Sequence, residues 1–170
     1  MKSRLAASIA LCAVALFGTT GCTFITHQAS TIAYSASDGV NINDESGPVK
    51  VRNAMIIANE DGSVGNFVAG IINDTDSSQT LHITVGDLPA IAVKVPAGGS
   101  LKLGADEEPL RIDGLDVKAG ANVKVFFQSG DSTGRADEVP VLDGALPYYA
   151  DLVPTEAPTP LPTETDKPTS

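Results

Sequence analysis

Thr80-Leu81-His82-Ile83-Thr84-Val85 decides the fold. Leu81, Ile83 and Val85 alternate with Thr80, His82 and Thr84, so apolar side chains recur every second residue. A chain with this period lays its apolar positions on one face only when extended, as in a half-buried strand. The same period recurs on both sides of this stretch. Upstream it marks Val49, Val51, Met55 and Ile57, then Phe67, Ala69 and Ile71. Downstream it marks Ile91, Val93 and Val95, then Leu101 and Leu103, Leu110 and Ile112, Val123, Val125 and Phe127, and last Val139 and Val141. Turn-forming residues separate the runs: Asp61-Gly62, Asn73-Asp74, Pro96-Ala97-Gly98-Gly99, Asp113-Gly114, Ala119-Gly120 and Ser129-Gly130. No segment sustains a helical period. The pattern predicts an all-β sandwich of seven to nine strands over 35–152.

Both flanks read differently. Lys2 and Arg4 precede an apolar stretch from Leu5 to Phe17, followed by Gly18-Thr19-Thr20-Gly21-Cys22. The apolar stretch suits a signal segment and falls short of the ~20 residues a spanning helix needs. It resembles a bacterial lipoprotein signal, and the bland alternative is a secretory signal with a chance cysteine. The resemblance implies a signal peptide over 1–21, a lipid-modified Cys22, and a tether over 22–34. It also implies a protein held to the outer face of the cell membrane. Two acyl chains would give lasting attachment, at about 0.8 kcal/mol per buried methylene. At the other end, Pro154, Pro158, Pro160, Pro162 and Pro168 alternate with Thr and Glu. This composition predicts a disordered Pro/Thr-rich tail over 153–170. A wall spacer, a glycosylated region and a tail without a role are all open readings of it.

Composition narrows the chemistry. The net charge is -10, which repels nucleic acid and anionic headgroups. Cys12 lies in the signal, so beyond Cys22 no thiol is left for a disulfide, a thiolate metal site or a nucleophile. His82 is the one imidazole within 35–152, and no serine stands in a nucleophile-elbow pattern. The expected protein is not an enzyme and carries no cofactor. Leu146-Pro147-Tyr148-Tyr149 is expected to pack the chain's exit against the sandwich or to form a contact site. Asn73-Asp74-Thr75 has the form of an N-glycosylation acceptor by accident of sequence. Asp74 with Asp76, and Asp106-Glu107-Glu108, are expected to be solvated turns rather than cation sites.

The strand series resembles one family. Val51-Arg52-Asn53-Ala54-Met55-Ile56-Ile57 is similar to the opening strand of PCu(A)C copper chaperones, a family that includes LpqE-like actinobacterial lipoproteins. The stretch 66–76 is similar to its second strand. Val95-Pro96-Ala97-Gly98-Gly99-Ser100-Leu101-Lys102-Leu103 is similar to its Pro-Ala-Gly-Gly turn and next strand, and 114–127 completes the series. The resemblance implies a cupredoxin-like sandwich and, for copper-binding members, delivery of copper to oxidase assembly outside the cytoplasm. Those members take their ligands from a His/Met-rich segment after the third strand and a His-x-Met on a later strand. Here those positions read Gly86-Asp87-Leu88-Pro89-Ala90 and Leu110-Arg111-Ile112. Cu(I) prefers thioether and imidazole donors, and neither segment has one. The reading is therefore a non-catalytic envelope lipoprotein whose domain binds a protein or small ligand. The alternative is a divergent copper metallochaperone using His82 and Met55. Met55 shares parity with Val51 and Ile57 and is expected in the core, while His82 is expected to face solvent.

Overall fold

The structure is a computed structural model, and it describes Arg4, 37–42 and 44–155. The chain divides into two units, Met1–Tyr34 and Ser35–Ser170. The signal and tether expected over 1–34 lie outside the described residues apart from Arg4, and so does the tail from 156 onward. No helix among the described residues is long and apolar enough to cross a membrane.

The described residues of the second unit form an all-β fold. Its strands are β1 (Val49–Ala58), β2 (Val64–Asn73), β3 (Gln79–Val85), β4 (Ile91–Val95), β5 (Ser100–Leu103), β6 (Leu110–Asp113), β7 (Asn122–Ser129) and β8 (Arg135–Leu142). Every apolar run singled out in the sequence forms one of these eight. The order is β4-β3-β7-β8-β1-β2-β5, with β6 also on β2. All pairings are antiparallel except β1 with β8, which run parallel over Ile56 with Val141 and Ile57 with Leu142. That short pairing joins two layers, β4-β3-β7-β8 and β1-β2-β5/β6. The strands at the ends of the sheet are short: five residues in β4, four in β5 and four in β6. Pro89 and Pro96 flank β4 and, lacking an N–H, limit its length.

The core lies between the layers. Phe67 of β2 meets Phe127 of β7 with ring centroids 6.1 Å apart, and Val49, Val51, Ile71, Leu81, Ile83 and Val125 belong to the same buried cluster. Each such side chain contributes about 1.5–3 kcal/mol when fully removed from water.

One expectation about β1 is corrected. Met55 and Ile57 do not share a face with Val51. The register slips between Arg52 and Met55, where two β1 residues oppose one of β2. Asn53 sits in this bulge at a φ of 52°, a left-handed conformation that Asn tolerates better than most residues. Beyond it the phase inverts. Ala54, Ile56 and Ala58 join the main core, while Met55 and Ile57 turn to the outer face. That face is covered too. Met55 packs with Ile57 and Tyr149 in a second small core, flanked by Val68, Leu142, Leu152 and Val153.

The bulge leaves backbone groups that 39–42 takes up. Val40 and Ala54 exchange N–H···O bonds of 3.0 and 2.8 Å, and the Ile42 N–H donates to Val51 O at 3.0 Å. The Gly39 N–H donates to Asn53 Oδ1 at 2.9 Å, and the Asn53 N–H donates to Asn41 Oδ1 at 3.0 Å. Gly39 is required here, because a Cβ would lie 2.6 Å from the Asn53 carbonyl carbon. The packed chain also continues past the boundary expected at 152. Val153 packs on the small core, Pro154 is buried, and Thr155 O accepts from Arg111 Nη1 at 2.7 Å.

Candidate functional site

The two segments read in the sequence as lacking soft donors, 86–90 and 110–112, come together in this fold. The first leaves β3 at Val85 and turns through Gly86, whose N–H donates to Lys124 O at 2.9 Å. The Leu88 N–H closes the turn onto Val85 O at 3.0 Å. The second segment is β6, held on β2 by pairing of Leu110 with Phe67 and Ile112 with Gly65. Together they border a half-open cleft of about 160 Å³ lined by Val85, Leu88, Pro89, Ile91, Arg111, Ile112 and Asp113. Both lie at the end of the sandwich where β1 finishes and β2 begins.

The lining is apolar except for one charged pair. Arg111 Nε donates to Asp113 Oδ1 at 2.9 Å, and Nη1 is held by Thr155 O. The cleft has neither imidazole, thioether nor thiol among its lining residues. An apolar floor with a neutralised guanidinium at the rim does not fit Cu(I), which needs soft donors. Nor does the volume suit a drug-sized ligand, for which pockets run to about 300–1,000 Å³. It has room for about one apolar side chain.

His82 and Met55 are not brought together. Met55 is buried, 1% exposed, under the C-terminal segment on the outer face of the β1–β2 layer. His82 is exposed on the outer face of the other layer, between Ala92 of β4 and Gln128 of β7. Those faces point in opposite directions. The acidic groups are dispersed as well: Asp74 pairs with Lys50 at 2.6 Å and Asp106 with Lys102 at 2.9 Å. Among the described residues, no three His, Cys, Asp or Glu side chains gather as a metal site.

Asn73 serves as a structural clamp. Its side chain is buried; Nδ2 donates to the carbonyls of Ser77 (2.8 Å), Val95 (3.2 Å) and Pro96 (2.8 Å). Its Oδ1 accepts from the Thr75 N–H at 3.1 Å and the Thr75 hydroxyl at 2.7 Å. The acceptor-like triplet is thus explained by a turn that fastens the Pro-Ala-Gly-Gly loop, and its amide is closed to modification in the folded state.

Tyr148 and Tyr149 divide their roles. Tyr149 is 8% exposed and packs on Met55, whereas Tyr148 is 63% exposed. The Tyr149 hydroxyl donates to Asp38 Oδ2 at 2.6 Å. Burial, reinforced by this bond, pushes its phenol well above the usual tyrosine range. Asp38 and Asp113 were not legible as partners from sequence. Arg111 and Asp113 do flank Ile112 at the spacing that turns both outward on a strand, and that spacing was the available signal.

No family model matches the chain, and no curated protein matches it. Among solved structures it is similar to an apo PmoF2 PCuAC domain. That likeness covers 59% of this chain and 94% of the other, at 10% identity and a TM-score of 0.47.

Proposed function

We propose that this is a non-catalytic, lipid-anchored protein of the cell envelope. In this reading its PCu(A)C-like sandwich uses the cleft at 85–91 and 110–113 to hold a side chain of a protein partner. The observation that carries the proposal is the convergence of those two segments on a small apolar cleft with a charged rim and no soft donor. The motif at 16–22, with Cys22 as the lipidated residue, supports placement outside the membrane.

The test is capture from native membranes with the full anchored protein, in parallel with Ile91→Asp and Arg111→Ala variants. A partner retained by the parent and lost from both variants supports the reading. A partner retained equally by all three would assign binding elsewhere, and reproducible turnover of a substrate by the purified protein would remove the non-catalytic reading. The divergent metallochaperone reading is tested by Cu(I) titration against a competing chelator. Opposite placement of His82 and Met55 leads us to expect the same affinity for the parent and a His82→Ala, Met55→Ala double variant.

A further inference from the structure

Three large apolar side chains are exposed among the described residues: Phe126 at 39%, Leu146 at 47% and Tyr148 at 63%. Two of the three share one turn. That turn is fixed, with the Ala145 N–H donating to Asp143 Oδ1 at 3.0 Å and the Tyr149 N–H donating to Leu146 O at 2.9 Å. The Tyr148 ring stands edge-on to Tyr149, centroids 4.4 Å apart. Tyr149 in turn holds Asp38, where the chain enters the sandwich. An exposed apolar turn is therefore fastened to the entry point, and a hollow of about 380 Å³ lies beside it between Asp38, Gly120, Leu142 and Tyr149.

The entry point is close to Cys22 along the chain. Residues 23–36 separate Cys22 from Ser37, a distance that even a fully extended chain limits to about 50 Å. We infer that the turn bearing Leu146 and Tyr148 rests in the interfacial layer of the bilayer that holds the Cys22 lipid. This inference rests on the lipid-anchor reading above. Tyrosine suits that layer, since its ring is apolar and its hydroxyl stays hydrated. Two side chains alone bind a bilayer weakly. A short tether raises their effective concentration to about the millimolar range, where weak contacts become populated. Asp38 and Asp143 border the hollow, so the favoured surface is zwitterionic rather than anionic.

The chain contains no tryptophan, so a single introduced indole reports its own site. The lipidated full-length protein carrying Tyr148→Trp is placed on phosphatidylcholine vesicles, with and without brominated acyl chains. A Phe126→Trp protein is the control on the outer sheet face. Insertion by about 5–10 Å predicts a blue-shifted emission from the Tyr148→Trp protein that the brominated lipid quenches roughly twofold. The Phe126→Trp emission is expected to stay unquenched. Equal quenching of both proteins, or none of the Tyr148→Trp protein while it co-floats with vesicles, would overturn the inference with the anchor intact. Flotation of the Cys22→Ala protein separates the two ideas: if it floats like the parent, the anchor reading fails and the inference fails with it.

Discussion

The Tyr149 hydroxyl lies 2.6 Å from Asp38 Oδ2, joining residues 111 apart in sequence. This bond ties the chain's entry to its exit over the small core of Met55 and Ile57. Tyr149→Phe keeps the buried ring and removes only the bond, so the expected cost is about 1 kcal/mol in denaturant unfolding. The pH dependence has a definite sign. The folded phenol is held above the ordinary value of 10.0 by burial and by Asp38, so above pH 10 the folded state retains a proton that the unfolded state loses. Its contribution is fully present below pH 10 and declines as pH rises past it. The gap between parent and Tyr149→Phe, measured by denaturant melts from pH 8 to 11, is expected to narrow above pH 10.

Asn73→Ala strips five hydrogen bonds from one buried amide. It leaves the Val95 carbonyl at a buried position without that donor. The expected loss is about 3 kcal/mol, with fast amide exchange at Gly98 and Gly99, whose loop it fastens. A loss under about 0.5 kcal/mol, the range of ordinary surface substitutions, would contradict the clamp.

Met55 and His82 are expected to respond in opposite ways. Truncating the buried side chain, Met55→Ala, should cost about 2–5 kcal/mol. The exposed His82→Ala should stay within about 0.5 kcal/mol. Asn53→Val belongs with them, since a β-branched residue at a φ of 52° is strained. Its expected cost is about 2 kcal/mol or more, from strain and from the lost bond to Gly39. Urea melts of the three variants check all of this.

Composition alone would let the chain be cut after Leu152 without effect. The packing of Val153, the burial of Pro154 and the Arg111 to Thr155 bond say otherwise. Ending the chain at Leu152 should lower Tm by several degrees, from about 1–2 kcal/mol of lost burial. Ending it at Thr155 should leave Tm unchanged.

Seven of the strands, β2 to β8, were legible because each has one buried face, which writes alternation into the sequence. The phase of β1 was not. Ala54-Met55-Ile56-Ile57-Ala58 is apolar without interruption, the signature of a strand covered on both sides, and alternation cannot be counted through it. What covers the second side is Tyr149, nearly a hundred residues away, and only topology brings it there. The cleft was half legible. The missing soft donors at 86–90 and 110–112 could be read directly, but their meeting depends on β2 pairing with both β5 and β6. Asp38 gave no sign, since nothing local marks an aspartate as the acceptor of a distant phenol.

The brevity of the outermost strands governs how copies of this protein treat one another. Two molecules colliding side by side through β4 can align over only five residues, about 17 Å of ladder. Prolines at 89 and 96 withhold donors just where such a ladder would grow. Lys94 in the middle of that rim, and a net charge of -10 on each chain, resist stacking further. Packed densely on a surface, these molecules would remain separate neighbours rather than seed a fibre.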